Sequence, residues 1–198
     1  DERNVGLYML DVCGHGVPAA LISVAVSQFL NGADGLLGNN CELVSPDIVL
    51  NRLDHAFPFE RFDSFFSIIC MTLDISEGIL TYSSAGHPPP VLVHSNGSTE
   101  TLDHRGPSIG LGCEDIIGQQ SIELQTGDKI LLYTDGLIEN RNSAGVFFGK
   151  QRFYDIVKKH RNESVQDIVE TIYATVKEFS QQAKPDDDVS ILGLEYCG

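Results

Sequence analysis

Residues 5–11 (VGLYMLD) are apolar at nearly every position and run into the turn Cys13-Gly14-His15-Gly16. That pattern predicts a strand paired on both sides and buried on both faces. Pro18 then stands where a first helical turn accepts proline. The stretch after it, Ala19-Ala20-Leu21-Ile22-Ser23-Val24-Ala25-Val26, is apolar nearly all round, so a helix over 18–30 is expected to be buried or to meet a partner. Residues 32–40 read as a polar, Gly-rich loop. Ser45-Pro46-Asp47 has the form of an N-cap, a first-turn proline and an acid matched to the helix dipole, opening a helix that runs to about Phe57.

The period then shortens. Residues 65–74 (FFSIICMTLD) and 79–85 read as strands separated by Ile75-Ser76-Glu77-Gly78, which predicts a hairpin. Pro88-Pro89-Pro90 reads as a stiff corner between strands, and 91–94 resumes as strand until the Asn96-Gly97 turn. Residues 119–124 and 129–134 form another hairpin pattern around Gln125-Thr126-Gly127-Asp128. Helices are predicted over 153–160 and 165–179. In the second, Val165, Ile168, Val169, Ile172, Val176 and Phe179 recur at helical spacing behind a Ser164/Asp167 capping box. A last strand covers 189–194. Strands that come mostly in hairpins, with helices before and after, predict an α+β fold built on antiparallel sheet. No repeat or low-complexity linker divides the 198 residues, so a single domain over 1–198 is expected.

Composition adds to this in two ways. The 28 Asp and Glu against 13 Lys and Arg, a formal charge of −15, disfavour nucleic acid and anionic membrane surfaces as partners. A phosphorylated substrate would then need a divalent cation to neutralise it. Cys13, Cys41, Cys70, Cys113 and Cys197 are scattered, with no C-x-x-C pair. They give no zinc spacing and no disulfide framework, and a reducing cytoplasm is the simplest setting. No long apolar run reads as a membrane span. The chain starts at Asp1 without a Met and is expected to be part of something longer.

Three acidic positions carry the candidate chemistry. Asp11 ends the first strand before a Gly-rich turn, Asp135 ends ILLYT before Gly136, and Asp186-Asp187-Asp188 precedes the last strand. Acids held at strand ends beside glycines offer oxygen-only ligands with room for a close approach, which favours Mg²⁺ or Mn²⁺ over Zn²⁺. Ordinary readings stand beside this one: Asp before Gly is a common turn residue, and an Asp run is commonly a solvated loop.

Five motifs occur in a fixed order: DVCGHG with PAAL from Asp11, AGHPPP from Ala85, GPSIG from Gly106, YTDGLIE from Tyr133, and DDVS from Asp187. Together they resemble the SpoIIE/RsbU-like branch of the metal-dependent, protein phosphatase 2C-like protein phosphatases, from Leu7 to Leu194. The resemblance implies an α-β-β-α sandwich of two antiparallel sheets flanked by helices, here without the N-terminal strand whose Gly-Gly-Asp acid serves the second metal. It implies hydrolysis of phosphoserine or phosphothreonine, with a water activated by two Mn²⁺ or Mg²⁺ ions as nucleophile. The typical substrate is a phosphorylated anti-sigma-factor antagonist, with a receiver or sensor domain upstream. Carried over by position, Asp11 becomes the bridging ligand, Val12 offers its carbonyl, and Asp135 and Asp187 complete the shell, so the three carboxylates are expected in one cleft. Asp188 is expected to act through water, and Asp186 to stand outside the ligand set. His15 and His87 are read as braces of their Gly-rich turns.

The helix over 18–30 keeps two readings, core alone or a regulatory and dimer-contacting helix. A homodimer is expected from that helix or from the exposed edge of the first strand. The rival reading for the whole chain is a catalytically weak module that binds a partner protein.

Overall fold

The computed structural model describes residues 3–32, 35–36, 44–104, 106–112, 117–181 and 187–198. The expected loop over 32–40, Cys41, Cys113 and Asp186 fall wholly or partly outside them. The described chain divides into two compact units, residues 1–87 with 103–124, and residues 88–102 with 125–198.

The first unit holds β1 (Asn4–Val12), α1 (Val17–Leu30), α2 (Pro46–Ala56), the short α3 (Phe59–Phe62), β2 (Phe66–Asp74), β3 (Ile79–Ala85) and β6 (Gln120–Glu123). Its strands form one antiparallel sheet in the order β1-β2-β3-β6. The expected hairpin of β2 and β3 is present, with Asp74 opposite Ile79. β1 pairs with β2 through its whole length, Asn4 opposite Asp74 to Val12 opposite Phe66. Among the described residues β1 stands at the sheet edge, and most of it is only half-buried, where the apolar run had predicted pairing on both sides. Ile22, Val26 and Leu30 of α1 and Val49, Leu50 and Leu53 of α2 share one core with Ile68 and Cys70 of the sheet.

The second unit holds β4 (Val91–Val93), β5 (Thr99–Thr101), β7 (Lys129–Tyr133), the single turn α4 (Asp135–Ile138), α5 (Gly149–His160), α6 (Val165–Phe179) and β8 (Ile191–Glu195). Its antiparallel sheet runs β5-β4-β7-β8. Every residue of β7 is buried. Leu131 and Tyr133 face Phe153 and Val157 of α5 and Ile168, Ile172 and Val176 of α6 in a core of their own. The Tyr133 and Phe153 rings lie 4.4 Å apart between centroids.

The 119–134 hairpin is not formed. β6 pairs with β3 through Tyr82 opposite Gln120, and β7 pairs with β4 and β8. The segment between them is a local turn in which the buried Asp128 carboxylate accepts the N–H groups of Gln125 (2.9 Å) and Ser95 (2.7 Å). Gly127 N–H donates to Tyr196 O at 2.7 Å, so long-range partners shape this turn and the strands beside it do not pair. The two predicted N-caps also differ. Ser164 accepts the Asp167 N–H at 3.1 Å, as a capping box requires. Ser45 occupies the cap position of α2 but makes no such bond. Its hydroxyl sits between the Asp47 carboxylate and the Gln119 side chain.

Candidate functional site

In the first unit Asp11 is the penultimate residue of β1, half-buried and directly opposite Ser67 of β2. Opposed residues of an antiparallel pair point to the same face, so Asp11 and Ser67 are neighbours there. The Ser67 hydroxyl in turn lies 3.0 Å from His87 Nδ1. His87 is 1% exposed, and among the described residues its Nε2 has no hydrogen-bond partner. Burial pushes its imidazole down to about 4, so the ring is neutral at pH 7. His15 is exposed in the turn after Asp11. That turn needs its glycines for conformation, because Gly14 and Gly16 have φ of 97° and 86°, the left-handed region that other residues avoid. Val12, beside Asp11, is buried at the start of that turn.

In the second unit the structure brings the ends of β7 and β8 together. Thr134 N–H donates to Ser190 O (3.1 Å), and Ser190 N–H donates to Thr134 Oγ1 (3.0 Å). Thr134 Oγ1 donates to Asp188 O at 2.9 Å. Thr134 thus locks the segment before β8 against the one that leads into α4. Gly136 makes this possible, since a Cβ there would collide with the Asp188 carbonyl. Asp135, half-buried at the first position of α4, and Asp187, exposed, are therefore set on neighbouring backbone although 52 residues separate them. The Asp187 carboxylate is steadied by the Asp188 N–H at 2.8 Å. Asp188 itself is exposed and contributes its carbonyl to the lock.

A pocket of about 220 Å³ opens here, lined by Gly136, Glu139, Asn140, Arg141, Phe147 and Asp187. Arg141 and Asn140 were not singled out by the sequence. An Arg in a polar loop carries no local signal, and the cue in hindsight is a cation five residues past the Asp135-Gly136 pair in so acidic a chain. The donor chemistry of Asp135 and Asp187, carboxylate oxygens with a glycine at the closest approach, suits a hard divalent cation. Among the described residues no group of three or more His, Cys, Asp or Glu is gathered closely enough to hold a metal ion.

The two antiparallel four-stranded sheets, each with its own helices, make an α+β protein with the phosphatase 2C fold. The SiaA-PP2C domain of Pseudomonas aeruginosa matches it with a TM-score of 0.80 at 21% identity, over 98% of this chain and 80% of that one. The pattern of the family described as Stage II sporulation protein E (SpoIIE) matches residues 1–196, and the chain belongs to that family. It is similar to Phosphoserine phosphatase RsbP of Bacillus subtilis, 30% identical over 97% of this chain and 46% of the relative. It is also similar to Phosphoserine phosphatase RsbU of the same organism, 26% identical over 98% of this chain and 56% of the relative. The chain thus spans about half the length of these curated relatives. Among the described residues no helix is long and apolar enough to cross a membrane.

Proposed function

We propose that the chain is the phosphatase domain of a longer signalling protein, a metal-dependent protein serine/threonine phosphatase. Its substrate in this reading is a regulatory phosphoprotein such as an anti-sigma-factor antagonist, met in the cytoplasm. Two relatives named as phosphoserine phosphatases support this. The observation that carries it is the lock of Thr134 and Gly136 on the Asp187-Asp188 backbone, which sets two acids at adjoining strand ends.

In the second unit Asp135 and Asp187 would offer carboxylates to a divalent ion, Mn²⁺ or Mg²⁺. In the first unit Asp11 and the Val12 carbonyl would be the metal ligands. When bound, such ions neutralise phosphoryl oxygens and lower the pKa of water, so that no side-chain nucleophile is needed. The chain's own work is positional. Thr134 and Gly136 hold two carboxylates against their mutual repulsion, and Ser67, tied to the neutral His87, stands beside Asp11. The full-length protein is taken to carry a receiver or sensor domain upstream and to act as a homodimer.

The test is release of phosphate from p-nitrophenyl phosphate and from phosphoserine peptides in the presence of Mn²⁺. Asp135→Asn is expected to lower the rate more than about 100-fold and to weaken Mn²⁺ binding in calorimetry, since even residues behind a metal ligand cost 10–100-fold when lost. An equal rate in the variant would overturn the assignment. A binding-module reading has one observation on its side, the exposed apolar face of α1 formed by Val17, Leu21 and Val24. Tight capture of a phosphoprotein without turnover would favour it.

A further inference from the structure

The pocket beside Asp187 contains a cation whose surroundings are built with care. Arg141 lies on a small hairpin that leaves α4 and returns to α5. Phe148 N–H donates to Asn140 O at 2.8 Å, and Asn142 N–H donates to Val146 O at 3.1 Å. The Asn142 side-chain oxygen accepts the N–H groups of Ala144 and Val146, each at 3.0 Å, and closes the tip. From α5, Arg152 donates to the carbonyls of Phe147 (3.0 Å) and Phe148 (2.6 Å), clamping the returning arm. Arg141 and Phe147 are thereby bridged across the hairpin, and the guanidinium carbon lies 4.1 Å from the Phe147 ring centroid. The ring gives the exposed guanidinium an aromatic platform.

Two further facts point to an anion. Among the described residues Arg141 is the one cation lining a pocket that also contains Glu139 and Asp187, in a chain of net charge −15. Among the described residues it makes no ion pair, although the chain has carboxylates in abundance. A planar guanidinium matches the paired oxygens of a phosphoryl group better than any other side chain does.

We propose that Arg141, held by Phe147 and the Arg152 clamp, forms a phosphoryl-binding subsite that orients the phosphate of a phosphoserine or phosphothreonine substrate next to Asp187. This rests on the phosphatase reading and deepens it. Metal ions, when bound, would neutralise part of the dianion, and Arg141 takes the remaining oxygens and gives the substrate its orientation.

The experiment compares the wild-type chain with Arg141→Ala, Arg141→Lys and Phe147→Leu, all with Mn²⁺ present. Binding of inorganic phosphate is measured by calorimetry and turnover of p-nitrophenyl phosphate by steady-state kinetics. Arg141→Ala is expected to weaken phosphate binding and raise KM about tenfold, with kcat changed less than about threefold and Mn²⁺ affinity unchanged. Arg141→Lys recovers part of the loss, and Phe147→Leu, which keeps the charge and removes the platform, falls between. An unchanged phosphate affinity in Arg141→Ala, or no phosphate binding by the wild type, overturns the subsite. A wild-type chain that binds phosphate through Arg141 but hydrolyses nothing keeps the subsite and overturns the phosphatase reading. Should Arg141→Ala fail to fold, Arg141→Lys and Phe147→Leu decide on phosphate affinity alone.

Discussion

The helices of the second unit cover their sheet with one face and show solvent a back that is polar apart from Tyr173, whereas α1 of the first unit shows solvent an apolar one. On α5 and α6 the outward positions are Lys150, Gln151, Asp155, Lys158, Gln166, Glu170, Lys177 and their like, and Lys158, Lys159 and His160 suit the carbonyl end of α5. On α1 the buried stripe Ile22, Val26 and Leu30 is matched by an exposed one, with Val17 at 72%, Leu21 at 65% and Val24 at 55%. The same unit leaves β1 at a sheet edge among the described residues. The difference teaches that α5 and α6 spend most of their apolar residues on their own core, whereas α1 keeps a surplus at the surface where another chain can use it.

The comparison can be broken at several depths. The largest effect is expected in the core of the second unit. Phe153→Ala empties a site of zero exposure against Tyr133 and is expected to cost about 3–5 kcal/mol in urea unfolding. A cost below about 1 kcal/mol would mean that this core is not tightly filled.

A pH effect of slightly smaller size belongs to the first unit. His87 has a folded pKa of about 4 against an ordinary value of 6.5, so the unfolded chain takes up its proton first. Stability from this group is therefore complete above about pH 6.5 and is lost as pH falls toward 4, by up to roughly 3 kcal/mol. Urea midpoints at pH 7 and pH 4.5 measure it. The variant His87→Gln, whatever its stability at pH 7, is expected to lose that part of the slope.

The smallest effect on stability tests the surplus itself. The double variant Leu21→Ser, Val24→Ser alters exposed positions and is expected to change unfolding free energy by no more than about 0.5 kcal/mol. It is also expected to reduce self-association in sedimentation at micromolar concentration. Equal association of variant and wild type would move the contact away from α1.

Much of the secondary structure was legible because it is local. The 66–74 and 79–85 strands read correctly as strand-like runs either side of a four-residue turn, and α6 from its helical spacing and its Ser164 cap. What failed was non-local. β6 and β7 look like hairpin arms, yet each finds its partners elsewhere, because Asp128 and Gly127 tie the intervening turn to Ser95 and Tyr196. β5, with the sequence Thr-Glu-Thr, has no apolar signal and exists only because β4 is there to pair with it. At Ser45 the favoured cap residue was present, but a side chain 74 positions away, Gln119, competes for its hydroxyl.

The candidate site divides along the same line. The sequence by itself determined that Asp11 and Asp135 end strands just before glycine turns and that an Asp run precedes the last strand, since strand, turn and acid are adjacent in the chain. Only the tertiary structure decided that Thr134 and Gly136 dock on the Asp187-Asp188 backbone, that Ser67 and His87 gather beside Asp11, and that Arg141 is stacked and clamped at the pocket. Those arrangements depend on hydrogen bonds and packing between residues far apart in sequence. Chain closure over such distances leaves no periodicity to read, because its geometry is set by the sheets that carry the two ends.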